Sequence, residues 1–249
     1  MSGHSKWHTI KHKKAAIDAK RGRAFTRLIK EITVAARMGG GDPDANPRLR
    51  LAVAEAKSNN MPADNIKRAI QKGTGELPGV SYEEITYEGY GPGGVAILVD
   101  VLTDNKMRTT PEIRHLFAKH GGNLGDPNSV AWMFERKGRF VVPASTIGED
   151  RLMEIALEAG ADDLEREGDA FTIYTDPTAF ADVQQALEKA GVAPSESGFV
   201  KEAKNMLAVD SKKAQQNLKL LEVLEDHDDV QHVFANLDFD EAELASEAD

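Results

Sequence analysis

The spacing of apolar residues changes once along this chain of 249 residues, after Gly79. Between residue 23 and Gly79, apolar residues recur every three or four positions, which predicts amphipathic helices. Beyond Gly79, short apolar runs are separated by turn residues, which predicts strands joined by turns and by a few further helices. Helices followed by a mixture of helices and strands indicate separate structural units. We therefore predict an α+β protein of three domains.

The first predicted domain covers residues 23–78 and contains three helices. Gly39–Gly41 ends the first helix and begins a link to the second. Asn46-Pro47 places an N-cap residue before a proline at the first helical position, which begins the second helix. Pro62 begins the third helix, and Gly73 is its predicted C-cap.

The later segments are divided between two further domains. Residues 138–204 follow the order βαββαβ of a ferredoxin-like unit. A last helix and strand within residues 205–238 lie too far along the chain to extend that unit, and we expect them to return to the segment 79–137. The sequence therefore predicts a ferredoxin-like domain inserted into an α+β domain. Within the α+β domain, a helix capped by Thr110-Pro111 and a strand over Ser129–Glu135 are expected.

The charge of the chain is divided between its two ends. Residues 1–75 hold 16 of the 31 Lys and Arg residues and only six Asp and Glu residues, a net charge of +10. Residues 76–249 hold 15 basic and 35 acidic residues, a net charge of −20. A uniformly acidic protein would be repelled by nucleic acid, whereas a chain divided in this way presents one cationic face to a polyanion. The basic end is where we predict the functional contact.

The candidate contact residues come from the N-terminal segment and the first helix. Residues 1–22 contain too few apolar side chains to fold alone, which predicts a mobile basic arm, and residues 239–249 form a predicted acidic tail. On the first helix, cationic residues lie opposite the apolar face that begins at Phe25. Lys and Arg neutralise phosphates, and the arm's one aromatic residue could stack on an exposed base. The predicted nucleic-acid contacts are His4, Lys6, Trp7, His8, Lys11, His12, Lys13, Lys14, Lys20, Arg21, Arg23, Arg27 and Lys30.

Other kinds of site receive little support from the sequence. His4, His8 and His12 recur every four residues, but the surrounding lysines crowd them with positive charge, and no Cys or carboxylate lies among them to complete a metal site. The loop Gly89–Gly94 runs into a strand rather than a helix, so a turn is predicted instead of a phosphate cradle. The chain has no Cys and no recognisable catalytic motif. We expect a protein that is not an enzyme and that uses no metal, cofactor or small-molecule substrate.

The location of the protein is inferred from two further patterns. No segment approaches eighteen consecutive apolar residues, and the basic N-terminus lacks the apolar core of a secretory signal. A cytoplasmic protein without a membrane partner is therefore expected. The sequence leaves its oligomeric state open.

Long motifs throughout the chain resemble those of the YebC/PmpR family. The opening Ser2–Trp7 and the run Ile10–Lys14 are closely similar to the start of that family. Two positions depart from the family pattern, with Met107 where a polar residue is expected and Asn128 where Gly is expected. The further matching segments are Asp18–Gly22, Asn46–Arg50, Asn60–Pro62, Asp64–Ile66, Arg68–Ile70, Tyr87–Gly94, Thr103–Asn105 and Trp132–Phe134.

This resemblance implies a fold and two possible roles. The family has an N-terminal helical domain, an α+β domain and a ferredoxin-like domain inserted in the latter, which agrees with the order read from the patterns above. Members are described as probable transcriptional regulators that bind DNA. Others, including mitochondrial translational activators, act on translation at the ribosome, and bacterial relatives are linked to synthesis through proline-rich stretches.

The nature of the partner stays open at this point. Reading of duplex DNA requires a helix that offers polar side chains to base edges, and no such helix is evident in the sequence. A mobile arm rich in Lys, His and Gly suits irregular RNA folds such as ribosomal RNA, because it can order on binding. The family's usual description favours DNA, whereas the physical argument favours RNA. A third alternative is a factor that docks on a protein and has only weak electrostatic affinity for nucleic acid.

Overall fold

The computed structural model describes residues 17–240, except for the side chains of residues 17–21 and Glu167. In chain order, its elements are α1 Ile17–Gly39, α2 Pro47–Ser58, α3 Ala63–Thr74, β1 Glu83–Tyr90, β2 Ala96–Thr103, α4 Lys106–Lys119, β3 Asn123–Leu124, β4 Phe134–Pro143, α5 Glu149–Glu158, β5 Ala161–Glu167, β6 Ala170–Thr175, α6 Phe180–Lys189, β7 Glu196–Ala203, β8 Leu207–Ala208, α7 Ser211–Glu225, β9 Val230–Ala235 and β10 Leu237–Asp238. This combination confirms the predicted α+β class.

Helices α1, α2 and α3 pack around one small hydrophobic core. Ile32 of α1 and Leu49 of α2 are fully buried at its centre, and Ile66 of α3 closes it. Helix α2 begins as the sequence predicts, because the Asn46 side chain accepts a hydrogen bond from the backbone N–H of Leu49 at 3.1 Å and Pro47 follows it. Because α2 and α3 have only 12 residues each, the stability of this unit comes mainly from the shared apolar face.

The end of α3 differs from the prediction. Helix α3 continues past Gly73 to Thr74, and Gly75, which adopts φ +85°, is the C-cap. Gly73 is buried where α3 crosses α1, and a Cβ atom there would lie 2.4 Å from the carbonyl oxygen of Thr33. The glycine is therefore required by the close approach of two helices rather than by the turn.

The second unit, an α+β domain, is formed by two separate segments of the chain. Its strands are arranged in the order β3-β1-β2-β9, with β9 antiparallel to β2, so the chain after residue 205 completes the sheet begun by β1. Helices α4 and α7 cover one face of this sheet, where Phe117 and Leu220 are fully buried.

The segment between these two parts forms a ferredoxin-like unit. The order of its sheet is β5-β6-β4-β7, in which the first strand, β4, lies at the centre and pairs with both β6 and β7. Helices α5 and α6 pack on this sheet through Leu152, Val183 and Leu187. This is the βαββαβ topology predicted from the sequence.

Two local predictions in the α+β unit are wrong. The helix expected to be capped by Thr110-Pro111 begins at Lys106, because the side chain of Asn105 accepts the backbone N–H of Arg108 at 3.1 Å and so caps it earlier. The strand expected over Ser129–Glu135 is a loop with a short 3-10 turn at Ala131–Met133, followed by the start of β4. The backbone N–H groups in that loop bind a buried carboxylate instead of a neighbouring strand.

Candidate nucleic-acid interface

Most of the predicted arm precedes the described part of the chain. Eight of the predicted contact residues lie outside the described residues, namely His4, Lys6, Trp7, His8, Lys11, His12, Lys13 and Lys14. Helix α1 already includes Lys20 and Arg21, which the sequence assigns to the arm, but the structure describes only their backbone. The boundary predicted at residue 22 therefore falls within α1. Residues 241–249 of the predicted acidic tail also lie outside the described residues.

The three remaining predicted contact residues face the α+β unit instead of open solvent. Arg23 forms an ion pair of 3.3 Å with Asp226. Burial lowers the pKa of Arg27, while the nearby carboxylates of Glu225 and Asp226 act in the opposite direction. The cationic side of α1 thus lies against the acidic turn between α7 and β9.

Lys30 is the most deeply buried of these three cations, with 7% of its surface exposed. Its Nζ donates to the Asp229 carboxylate at 2.7 Å and to the carbonyl oxygens of Asp228 at 3.0 Å and Leu102 at 3.3 Å. All three N–H bonds of the ammonium therefore have an acceptor. Lys30 is therefore not available to a phosphate in this arrangement. The sequence did not predict this, because a helical wheel of α1 shows that Lys30 lies opposite the core of the helical unit but gives no information about a second unit that packs there.

Asp229 is the acceptor at the centre of this contact. Its carboxylate also accepts from Arg108 Nη2 at 2.6 Å, from Thr109 Oγ1 at 2.6 Å and from Thr103 Oγ1 at 3.2 Å. Burial alone would raise the pKa of Asp229, but the hydrogen bonds from Lys30, Thr109 and Arg108 outweigh it and hold the pKa well below its usual range. The helical unit is therefore fixed on the sheet by a fully hydrogen-bonded buried ion pair.

The carboxylate of Asp229 lies near Glu112 and His227, a grouping with the composition of a metal site. Its hydrogen bonds argue against that use. His227 Nδ1 accepts the backbone N–H of Asp229, so a neutral ring carries its proton on Nε2 and donates it to Glu112 at 3.0 Å. Lys30 and Arg108 add two positive charges beside the carboxylate. The three side chains are thus better suited to holding the turn than to binding a cation.

Exposed cations without an acidic partner lie on α2 and α3. Four such side chains are exposed: Lys57 near the end of α2, and Lys67, Arg68 and Lys72 on α3. None of them forms an ion pair with another residue of the described range 17–240. These four cations are not among the contacts predicted from the sequence, which were taken from the N-terminal segment and from the helical wheel of α1 alone. The available signal was the composition of α3, which has Asp64 as its one acid and three basic residues after it.

The loop Gly89–Gly94 is a turn, as predicted. The N–H of Gly91 donates to the carbonyl oxygen of Val95 at 2.8 Å, and the N–H of Gly94 donates to that of Gly91 at 3.1 Å. The buried Asn217 side chain of α7 donates to the carbonyl oxygen of Pro92 at 2.8 Å. These contacts hold the turn against α7, so the loop does not form a phosphate cradle.

Glu88 in the same motif organises the loop before β4. Its buried carboxylate accepts the backbone N–H groups of Asn128 at 2.6 Å, Ala131 at 2.7 Å and Val130 at 2.8 Å. Burial would raise the pKa of Glu88, but these three hydrogen bonds outweigh it and lower the pKa. Asn128 adopts φ +68°, a conformation that explains why Gly is expected at this position. The loop holds Trp132 with 63% of its surface exposed.

None of the helices within residues 17–240 has the length and apolar character that crossing a membrane would require.

Comparisons with known proteins agree with the motifs and the fold. Residues 5–76 match the family model described as the TACO1/YebC protein N-terminal domain, and residues 82–237 match the model described as the TACO1/YebC second and third domain. A probable transcriptional regulatory protein of Koribacter versatilis is 59% identical over 244 residues, which cover 98% of each chain. A protein of the same description from Geobacter sulfurreducens is 57% identical over 244 residues, again with 98% of each chain covered.

A solved structure shares the architecture as well. The crystal structure of a conserved hypothetical protein from Aquifex aeolicus superimposes with a TM-score of 0.87 at 49% sequence identity, and the match covers 93% of this chain and 96% of that one. The chain therefore belongs to the TACO1/YebC family, the YebC/PmpR family that its motifs indicate.

Proposed function

We propose that this protein is a non-enzymatic regulator of gene expression that binds nucleic acid through its N-terminal segment and through the exposed cations of α2 and α3. The observation that carries the proposal is the presence of Lys57, Lys67, Arg68 and Lys72 on one small unit, none of them paired with a described acid, in a chain with a net charge of −10. Such cations gain free energy by releasing the counterions of a polyanion. The description of the relatives as probable transcriptional regulatory proteins supports a regulatory role.

Helix α1 has a supporting role in this proposal. The contact between Lys30 and Asp229 fixes the helical unit on the α+β unit. Because of this contact, the exposed cations of α3 have a defined position relative to the acidic remainder of the molecule. The point at which the basic segment joins α1 is defined in the same way. We assign Arg23, Arg27 and Lys30 to this anchoring, and we leave the phosphate contacts to the segment that precedes α1 and to α2 and α3.

Duplex DNA is the first candidate target, as the description of the relatives suggests. Helix α3 follows α2 after the short connection Asn59–Pro62 and carries Lys67, Arg68 and Gln71. A second helix after a short turn is the arrangement in which a helix can enter a major groove. Contacts from these side chains to base edges would give sequence preference, and contacts from the lysines to phosphates would give affinity.

A ribosome-associated translation factor is the second candidate. The distribution of cations over two helices favours this alternative, because irregular RNA offers phosphates in several directions and bases that are not stacked. In that role the protein would aid the synthesis of difficult stretches, such as the proline-rich ones to which bacterial relatives are linked. A protein-docking role is the third candidate, and the exposed Trp132 on the loop hydrogen-bonded to Glu88 is the feature that favours it.

A competition experiment tests the proposal. Labelled protein is offered purified ribosomes and an equal mass of genomic duplex DNA at about 150 mM salt, where exposed charges are screened over about 8 Å. The triple substitution Lys67→Gln, Arg68→Gln and Lys72→Gln should weaken binding to the preferred nucleic acid by more than tenfold. The matched control Arg114→Gln, Lys119→Gln and Lys212→Gln removes three exposed cations from the α+β unit and should change binding by less than twofold.

The same experiment separates the candidates. Retention on discrete DNA fragments supports the transcriptional role, and retention on ribosomes supports the translational one. Equal losses for both triple variants, or retention on neither target with capture by a protein, would contradict the proposal. Deletion of residues 2–16, which precede the described part of α1, measures the contribution of the N-terminal segment separately.

A further inference from the structure

A hollow of about 420 Å³ lies between α2 and α3. Its floor is formed by Val53 of α2 and by Ile66 and Ile70 of α3, and Ala63 lies beside them. Val53 and Ile66 belong to the buried core, whereas Ile70 is partly exposed. The volume is within the range of about 300–1,000 Å³ that is common for sites of small organic groups.

The rim of the hollow is polar and mainly cationic. Lys57 and Lys67 line it from the two helices, and neither forms an ion pair with another described residue. Gln71 and Glu76 also line it, where Gln71 Nε2 lies 3.5 Å from the Glu76 carboxylate and Thr74 Oγ1 donates to that carboxylate at 3.1 Å. The hollow thus combines an aliphatic floor, two ammonium groups, and an amide beside a carboxylate.

These groups match the parts of one nucleotide. The aliphatic floor suits the face of a heterocyclic base, the two lysines suit its flanking phosphates, and an amide beside a carboxylate can exchange hydrogen bonds with the donors and acceptors on a base edge. The carboxylate of Glu76 would repel a phosphate at its own position, so the phosphates would lie beside Lys57 and Lys67. A purely aliphatic ligand would leave these polar groups without a partner.

We propose that the hollow between α2 and α3 binds an unpaired nucleotide of single-stranded nucleic acid. The inference rests on the proposed function, and for the same surface it favours single-stranded nucleic acid over the duplex DNA that is the first candidate above. A base inside a duplex is stacked on both faces and would have to be extruded at a cost of a few kcal/mol, whereas a base in a single strand reaches the floor without that cost. Selectivity for single strands over duplexes follows from this difference.

The test compares a substitution that fills the hollow with a matched one outside it. Ala63→Leu adds bulk at an exposed position that lines the hollow, and Ala54→Leu makes the same change at an exposed position of α2 that does not line it. Fluorescence anisotropy measures the binding of labelled single-stranded RNA, single-stranded DNA and the corresponding duplex DNA, each about 12 nucleotides long. Equal melting temperatures of the variants and the unchanged protein show that the fold is retained.

We expect Ala63→Leu to weaken binding to single strands about tenfold and to change duplex binding by less than twofold, while Ala54→Leu changes neither. The comparison of RNA with DNA single strands shows whether the 2′-hydroxyl contributes. As a second measurement, Lys57→Gln should weaken single-strand binding more than Lys72→Gln, because Lys72 does not line the hollow.

Equal losses on single strands and duplexes, or no loss on either, would overturn the assignment of the hollow. Tighter binding of an acidic, leucine-containing peptide than of either single strand would also overturn it, in favour of a protein ligand. Failure of the proposed function gives a different result, since the triple substitution on α3 would then leave the affinity for every nucleic acid unchanged.

Discussion

Lys30 on α1 and Asp229 just before β9 form a buried ion pair of 2.7 Å, although 198 residues separate them in the sequence. The pair joins the helical unit to the sheet, and Arg108, Thr103 and Thr109 complete the hydrogen bonds of the carboxylate. A buried pair contributes little net stability when it is compared with well-packed apolar groups, but the loss of one partner leaves the other charge buried and uncompensated. The contact therefore specifies how the two units are arranged.

The first prediction concerns the removal of that carboxylate. Asp229→Ala leaves Lys30 buried without an acidic partner, and we expect it to lower the free energy of unfolding by about 3–5 kcal/mol. Asp226→Ala removes the half-exposed partner of Arg23 and should cost less than about 1 kcal/mol. Urea denaturation followed by circular dichroism measures both variants. Similar costs for the two substitutions would show that the Lys30 contact is not the one that holds the units together.

The second prediction is the pH dependence of the same contact. The pKa of Asp229 is lowered in the folded protein, so its contribution is fully present above the pKa of the unfolded chain, about 4, and is lost as the pH falls below that value. The difference in unfolding free energy between the protein and Asp229→Asn should therefore be constant from pH 7 to about pH 5 and should shrink below about pH 4. A difference that grows on acidification would contradict the direction of the pKa shift.

The third prediction distinguishes two glycines of the helical unit. Gly73→Ala places a Cβ atom 2.4 Å from the carbonyl oxygen of Thr33, so α1 and α3 must separate, and we expect a loss of about 1–3 kcal/mol. Gly22→Ala lies in α1, where no described atom other than those of the adjoining residues and the helix backbone is within 4 Å of the added Cβ, and it should stabilise the protein by about 0.5–1 kcal/mol. Thermal denaturation of the two variants measures the shifts in opposite directions. A stabilising Gly73→Ala would show that the two helices are not in close contact at this position.

The fourth prediction concerns the carboxylate that organises the loop before β4. Glu88→Gln replaces the carboxylate, which accepts three backbone N–H groups, by an amide whose NH₂ group cannot accept them. We expect this substitution to lower the free energy of unfolding by about 1–3 kcal/mol. Hydrogen exchange of the Val130 and Ala131 amides should accelerate accordingly. Glu135→Gln changes an exposed neighbour in the same way and should leave that exchange unaffected. Unchanged protection in Glu88→Gln would mean that packing of Val130 alone fixes the loop.

Local patterns in the sequence were sufficient for most of the fold. The N-cap of α2 at Asn46 and the order of helices and strands in the ferredoxin-like unit both follow from features within a few residues of one another. The errors share a different origin. Gly73 is a contact between helices, and the loop before β4 is held by Glu88, which lies some 40 residues earlier in the chain. Neither partner can be identified from the spacing of residues alone.

The candidate site shows the same limit. The division of charge directs attention to the N-terminal third of the chain, because net charge needs no knowledge of packing. The assignment of individual residues depended on which face of α1 meets a second unit. Lys30 lies on a face that reads as solvent-exposed when the helical unit is considered alone, but an acidic turn from residues 225–229 covers that face.

The last prediction separates the contact residues suggested by the sequence from those suggested by the structure. Lys67→Gln removes an exposed ammonium that has no described acidic partner, and it should reduce the slope of log affinity against log salt concentration by about 0.9 on duplex DNA. Arg23→Gln removes a cation that is paired with Asp226, and it should leave that slope unchanged. Titrations between about 50 and 200 mM salt measure both slopes, and circular dichroism confirms that both variants are folded. If Arg23→Gln instead changes the slope and Lys67→Gln does not, nucleic acid competes with Asp226 for α1, and the contact surface is the face of α1 that the structure covers.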